Sequence, residues 1–160
     1  MKVPMELSRI FIREMNDMQI IELTETDGTR TFPIVIGLPE ASAIERRLKG
    51  TDVARPQTHD LLASVIRHLG GRLVRIDIHD LNEGTFFANI VVERDGEEVV
   101  IDSRPSDAIA LGISERVPIF VAERVLEQAA IDSQSANGTG MGLGPGLVDF
   151  DDVEDDDEDE

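Results

Sequence analysis

Three turn signals divide the chain into segments of alternating apolar and polar residues, and they constrain its fold more than any other feature. Each signal places a glycine between two such segments: Thr26-Asp27-Gly28-Thr29, Asn82-Glu83-Gly84 and Asp95-Gly96. Glycine adopts positive φ at little steric cost, so these peptides favour tight connections between antiparallel strands. The chain is therefore predicted to be built largely from strands joined by short turns.

Hydrophobic spacing supplies the remaining elements. Strands are predicted at Leu7–Met15, Met18–Glu25, Arg30–Ile36, Arg72–Leu81, Thr85–Arg94, Glu97–Ile101 and Pro118–Val121. Helices are predicted at Glu40–Lys49, Thr58–Leu69, Pro105–Ser114 and Glu123–Ala130. The second helix, capped by Thr58, is expected to bury a stripe made of Leu61, Leu62, Val65, Ile66 and Leu69. We therefore expect an α+β fold, a mixed sheet with three to four helices packed on it.

Two segments repeat the order strand, Asp-Gly turn, strand, proline and helix. They are Ile20–Leu48 and Ile90–Leu111. Proline is favoured at the first turn of a helix, so the repeat suggests an internal duplication. Chance similarity between two common supersecondary units is the alternative.

A length of 160 residues supports one domain with a substantial core. We predict that it spans residues 1–131, because residues 132–160 are first rich in Gly and Ser and then acidic, which is typical of disorder. The sequence has no cysteine, no apolar run near the roughly 20 residues of a membrane span and no secretory pattern at its start. A cytoplasmic location is the expectation.

The charge is strongly negative, at −18 from 33 acidic and 15 basic residues. Segment Asp149–Glu160 carries 10 of the acids, so the rest of the chain is still acidic. Only Lys2 and Lys49 are lysines, and the other 13 cations are arginines. Such a surface suits a salt-rich cytoplasm, where ions screen self-repulsion, and indicates a halophilic source. At ordinary ionic strength it should also repel nucleic acid.

Two segments place Arg, Pro, a hydroxyl and Asp directly before an apolar run with helical spacing. They are Arg55-Pro56-Gln57-Thr58-His59-Asp60-Leu61-Leu62 and Asp102-Ser103-Arg104-Pro105-Ser106-Asp107-Ala108-Ile109-Ala110-Leu111. Free backbone N–H groups at a helix start attract anions, and a nearby arginine adds a forked donor. Phosphate or carboxylate binding is one interpretation, and ordinary helix capping is the other.

A few side chains at these helix starts are candidates for catalysis or for ligand binding. His59 can serve as a general base or a metal ligand with Asp60 as its partner. Asp102 and Asp107 can hold Mg²⁺ or Mn²⁺, which prefer oxygen ligands, while Arg104 binds a phosphate. Ordinary caps and an Arg–Asp pair explain the same residue types structurally. From spacing alone, the function stays open.

The order of the motifs resembles that of the bifunctional nuclease domain family, small α/β proteins named for cleavage of both DNA and RNA. The matching segments, which extend over about Leu7 to Ala130, are Phe32-Pro33-Ile34-Val35-Ile36-Gly37, Glu40-Ala41, Ala43-Ile44, Arg55-Pro56, Thr58-His59-Asp60-Leu61-Leu62, Gly84-Thr85-Phe86-Phe87-Ala88, Asp102, Arg104-Pro105-Ser106-Asp107-Ala108-Ile109-Ala110-Leu111 and Pro118-Ile119. The resemblance implies a nuclease that hydrolyses phosphodiester bonds of DNA and RNA with low sequence specificity.

The resemblance carries no fixed catalytic set, so the matching polar positions are candidates. We expect His59, Asp60, Arg104 and Asp107 in catalysis, and Arg55, Thr58 and Ser106 in substrate binding. A divalent cation, Mg²⁺ or Mn²⁺, is expected on Asp102 and Asp107. A homo-oligomer, with a dimer favoured, is expected because small mixed sheets leave strand edges open. The alternatives are a non-catalytic module that binds an anion or a partner, and an oligomeric structural protein.

Overall fold

The computed structural model describes residues 1–13, 15–136 and 148–149, with side chains described as far as residue 129. The strands are β1 (Lys2–Phe11), β2 (Met18–Glu25), β3 (Thr31–Gly37), β4 (Gly71–Asn82), β5 (Thr85–Arg94), β6 (Glu97–Ser103), β7 (Ile119–Ala122) and β8 (Val148–Asp149). The helices are α1 (Leu38–Leu48), α2 (Thr58–His68), α3 (Pro105–Glu115) and α4 (Glu123–Ala136).

Seven strands form one mixed sheet in the order β3-β2-β1-β7-β4-β5-β6, and β8 pairs with β1 beside this path. The pair β4–β7 is parallel and the other pairs are antiparallel. All three predicted turns connect antiparallel neighbours, with Gly84 and Gly96 at positive φ. The predicted α+β class with helices on a mixed sheet is confirmed. The two repeated units are β2-β3-α1 and β5-β6-α3, and their origin by duplication stays a prediction.

The sheet curves around a single apolar core. Phe32 on β3 and Phe86 on β5 stack with their ring centroids 5.4 Å apart, although their strands are five positions apart in the sheet. Helix α4 packs against both β3 and β4, and α3 packs between α1 and α2 over β4 and β5. The curvature and these helices bring the N-termini of α2 and α3 close together.

The predicted buried stripe of α2 is wrong for four of its five residues, and Ile66 alone packs partly buried against the core. Within the helix only Ala63 is buried, whereas Leu61, Leu62, Val65 and the C-cap residue Leu69 are 38–64% exposed. Helix α3 takes the central place on the sheet because residues Pro105–Gly112 are buried on almost every side, Asp107 excepted. Helix α2 then packs on α3 and on the start of β4 with its Ala63 and Ile66 side, and the other residues of its apolar stripe face outward.

Two element boundaries differ from prediction by five residues or more. Strand β1 begins at Lys2 rather than Leu7, because Val3 and Met5 are buried while the proline between them is accommodated in the pairing with β7. Helix α4 continues six residues past its predicted end, to Ala136. Apart from this helix end and β8, the predicted tail lies outside the described residues, so its disorder stays a prediction.

Candidate active site

The start of α2 is fixed by Asp60. The N-cap residue is Gln57, one position before the predicted cap Thr58, and its backbone N–H donates to Asp60 Oδ2 at 2.9 Å. Arg47 on α1 donates to Asp60 Oδ1 at 2.9 Å, and Arg46 reaches Oδ2 at 3.5 Å. Burial alone would raise the pKa of Asp60, but the bond from Gln57 and the charges of both arginines lower it.

The position of Asp60 is explained by Arg47, a buried cation that it pairs with. The side chain of Arg47 is 4% exposed, and it also donates to the carbonyl of Ala43 at 2.9 Å. Burial lowers the pKa of the guanidinium, since the charged form loses its hydration. Asp60 is the carboxylate bonded to this buried cation, so its carboxylate ties α1 to α2. The predicted role of Asp60 as the partner of His59 finds no support in these contacts.

The start of α3 is organised by Arg104, its N-cap residue. Arg104 Nε donates to Asp107 Oδ2 at 2.8 Å, and its Nη1 donates to Glu40 on α1 at 2.9 Å. Hydrogen bonds from the guanidinium to these two carboxylates raise the pKa of Arg104. Its side chain is nevertheless 64% exposed, so one face of the guanidinium remains open to a ligand.

The two helix starts meet through His59 and Asp107. His59 Nε2 lies 2.9 Å from Asp107 Oδ1, although 48 residues separate them in sequence. An ionised carboxylate only accepts hydrogen bonds, so Nε2 must carry the proton. Burial would raise the pKa of Asp107, but the bonds from Arg104 and His59 lower it and favour this ionised form. In the neutral ring, Nδ1 is then left as an acceptor, and it has no bonded partner among the described residues.

A groove passes over this contact. A cavity of about 260 Å³ is bordered by both helix starts and by α1, and its lining includes Thr58, His59, Arg46, Arg104 and Asp107. A second cavity of about 490 Å³ adjoins it, since Glu40 and Arg104 line both. The larger cavity has an apolar wall that includes Phe86. The groove therefore combines a histidine, two arginines and an adjacent apolar surface.

Several predicted site residues do not join this contact. Asp102 is exposed on β6. Its neighbour Ile101 pairs with the buried Ile90 and faces the core side of the sheet, so by strand alternation Asp102 faces the opposite side. Arg55 is exposed in the loop before α2 and borders neither cavity. Ser106 is buried and borders only the larger cavity. Conversely, Arg46 borders the groove but looked like an ordinary basic residue at a helix C-terminus, so no sequence signal marked it.

The expected divalent cation does not fit this donor set as a resident ion. Within the described part of the chain, no three His, Cys, Asp or Glu side chains lie close enough together to hold a metal. Asp107 and Glu40, the carboxylates nearest the groove centre, are both bonded to Arg104. A cation would have to displace that guanidinium to reach either carboxylate.

Comparison with known proteins agrees with the motif order. Residues 21–134 match the family model named Bifunctional nuclease domain, from within β2 to within α4. Two proteins from two strains of Mycobacterium tuberculosis, both named as uncharacterized, are each 38% identical over 122 residues, which is 76% of this chain and 73% of theirs. The match includes both helix starts and the strands that position them. The chain therefore belongs to the bifunctional nuclease domain family.

Proposed function

We propose that this protein is a nuclease that hydrolyses phosphodiester bonds of DNA and RNA with little sequence preference. The family supports nuclease chemistry in general terms. The observation that carries the specific proposal is the 2.9 Å contact between His59 Nε2 and Asp107 Oδ1 at the floor of a groove. A carboxylate that fixes one ring nitrogen of a histidine leaves the other nitrogen oriented as a general base.

In the proposed reaction, Nδ1 of His59 accepts a proton from water as the water oxygen attacks phosphorus. The new P–O bond forms and the scissile P–O ester bond breaks. The departing alkoxide takes up a proton from solvent water, and the imidazolium of His59 then releases its proton to solvent. Asp107 holds the ring and stabilises the imidazolium that forms, as carboxylates do in other histidine-dependent hydrolases. Arg104, with 64% of its side chain exposed, and Arg46 lie along the same groove to bind the phosphate oxygens.

Low specificity follows from the same surface. Phosphate contacts carry no sequence information, and the two arginines of the groove are proposed to bind phosphate oxygens. The protein's negative charge opposes nucleic-acid binding, so the reaction is expected to be favoured by molar salt that screens repulsion. We propose the cytoplasm as its location.

The test compares His59→Ala with His68→Ala. Both histidines lie on α2, but His68 is at the exposed opposite end, and its hydrogen bonds within the described residues are to Ser64, four residues before it. Parent and variants are purified identically and assayed on supercoiled plasmid and single-stranded RNA in about 2 M KCl. Each reaction is run with EDTA, with Mg²⁺ and with Mn²⁺, so that cation dependence is measured directly.

We expect His59→Ala to lose at least about 100-fold in rate, the typical contribution of a general base, and His68→Ala to match the parent. Equal rates for all three proteins would assign the cleavage to a contaminant. Cleavage that requires Mn²⁺ but proceeds at the same rate in the parent and in His59→Ala would contradict the role of His59.

The ion pairs within the groove favour one alternative, a non-catalytic binding module. Arg104 and Arg46 both already contact carboxylates, an arrangement that also braces a fold. Absence of cleavage, together with a melting temperature raised by inorganic phosphate or a nucleotide, would support that alternative.

A further inference from the structure

Exposed apolar side chains are concentrated on one part of this acidic protein. Seven of the twelve large apolar side chains that are exposed among the described residues lie on α2, at its C-cap or on β6. They are Leu61, Leu62, Val65, Leu69, Val99, Val100 and Ile101, each 38–64% exposed. Monomeric soluble proteins rarely leave such a group contiguous and uncovered. We call these seven residues the α2–β6 surface.

The α2 residues of this surface are neighbours of Val99 and Ile101 on β6, whereas Val100 pairs with Val91 and faces the other side of the sheet. A Cβ placed on Gly71 would lie within about 3.1 Å of both Ile66 of α2 and Val92 of β5. Val92 pairs with Val99 on β6, and Ile90 pairs with Ile101. Val92 and Ile90 are buried on the core side of the sheet, so Val99 and Ile101 share that side with α2. The outer flank of α2 and the core side of β6 therefore border the same open space.

Strand β6 is also an open sheet edge. It is the terminal strand of the order, and six of its seven residues are exposed, with Ser103 half-buried. The opposite edge strand, β3, carries Pro33, which removes a backbone donor and discourages strand addition. Strand β6 has no proline, no lysine and no bulge in its pairing with β5. No other strand of the described residues pairs with its outer edge, so its outer backbone groups can pair with a further strand.

We propose that the α2–β6 surface is where a second copy of this chain docks, with β6 pairing antiparallel to β6 of the other copy about a two-fold axis at Val100. Val100 then lies opposite its own counterpart, and Val99 lies opposite Ile101. The axis is perpendicular to the sheet, so both α2 helices lie on the same side of the joined sheet. Their outward apolar flanks cover each other and the β6 edges.

The sequence of β6 favours a second copy over other partners. Three central apolar residues are flanked by acids on both sides, Glu98 before and Asp102 after, so the strand presents a similar pattern in either direction. That symmetry suits an isologous two-fold contact, and the acids exclude nucleic acid as the occupant. The exposed residues of β6 and of the outer flank of α2 would supply this interface from each copy.

The same acids make the dimer depend on salt. In this register Glu98 lies opposite Asp102 of the other copy, and like charges directly across strands are unfavourable. Arg75 offsets part of this cost because it holds Glu98 through two bonds of 2.6 and 2.9 Å. The net charge of −18 on each chain adds long-range repulsion. Dimerisation should therefore strengthen as KCl screens these charges.

The test is sedimentation velocity of the full chain over a concentration series at about 0.1 M and 2 M KCl. Val100→Lys places two ammonium groups at the two-fold axis. Its matched control is Val35→Lys, because Val35 is also a valine on an edge strand and both are 58% exposed. Val65→Glu on α2 provides a second probe, and circular dichroism verifies that each variant is folded.

We expect the parent to form a dimer at high salt. Val100→Lys and Val65→Glu should each raise the dissociation constant of the dimer at least tenfold. Val35→Lys should have the same dissociation constant as the parent. Amide protons of β6 should also become protected as protein concentration rises. A monomer at every concentration in 2 M KCl would overturn the inference. So would a dimer that Val100→Lys and Val65→Glu leave intact, because the contact would then lie elsewhere. The inference does not depend on the proposed nuclease activity.

Discussion

Replacing Asp60 by Asn tests whether this carboxylate supports the fold rather than the chemistry. Asparagine keeps the size of the side chain and can still accept the N–H of Gln57, but it removes the charge opposite Arg47. Arg47 is 4% exposed and would remain as a buried cation. Removing one partner of a buried ion pair typically costs about 3–5 kcal/mol.

The cost here should fall at or below the lower end of that range. Asp60 is 26% exposed, so water reaches the pair, and the carbonyl of Ala43 continues to accept from Arg47. We expect Asp60→Asn to lower the free energy of unfolding by about 2–3 kcal/mol. For a chain of this length, that corresponds to a melting temperature lower by about 5–10 °C.

Urea denaturation at constant high KCl measures this loss, and a double-mutant cycle with Arg47→Met isolates the pair. Methionine fills the buried site without a charge, so the double variant should recover most of the stability. The pH dependence follows from the lowered pKa of Asp60. Its contribution is present above the unfolded carboxyl pKa of about 3.9 and is lost as pH falls through the lower folded value.

The reasoning would be refuted if Asp60→Asn were as stable as the parent at neutral pH, or if Arg47→Met gave no recovery. A variant that stays folded below its melting temperature but loses all cleavage would instead restore Asp60 to the catalytic set. Cleavage by the folded fraction of Asp60→Asn is expected to stay within about tenfold of the parent.

Three further outcomes are expected. Gly112→Ala should destabilise the protein by about 1–3 kcal/mol in urea denaturation, because the added Cβ would lie 2.8 Å from Cγ1 of the fully buried Ile76; unchanged stability would contradict this packing. The melting temperature should rise between about 0.1 M and 2 M KCl in calorimetry, and no gain would count against a halophilic adaptation. Arg104→Gln should weaken binding of single-stranded DNA and make the slope of log affinity against log KCl concentration more positive by about 0.7, because one phosphate contact is lost; an unchanged slope would remove Arg104 from the phosphate contacts.

Local chemistry made the sheet predictable. Gly84 and Gly96 adopt the positive φ that their turns require, and the strand between them spans Thr85–Arg94 as predicted. Proline at the first position of α3 likewise marked that helix start to the residue. Each of these features depends on neighbours within a few positions, so a single sequence contains the necessary information.

The sequence did not show which helix would occupy the centre of the sheet. The apolar stripe of α2 had the spacing of a core-facing helix, but α3 occupies the centre of the sheet and leaves α2 on the flank. An apolar stripe shows that a helix face must be covered, and it does not identify what covers it. If the α2–β6 surface binds a second copy, the stripe is buried between subunits rather than within one.

The candidate site was predicted only in part, because its contacts join residues that are far apart in the sequence. The two polar helix starts were evident, and the structure brings His59 and Asp107 together from positions 48 residues apart. The partner assigned to His59 from its sequence neighbour, Asp60, instead binds Arg47 on another helix. Adjacent residues on a helix point in directions about 100° apart, so sequence adjacency was a poor guide to contact.

The measurement that tests the central claim most directly is the rate of phosphodiester cleavage by Asp107→Asn relative to the parent in high KCl. The asparagine amide keeps the side-chain size but can donate toward Nε2, which favours the other ring tautomer of His59. The account predicts a loss of about 100-fold or more in the cleavage rate with the fold retained. Cleavage at the parent rate by the folded Asp107→Asn protein would contradict it.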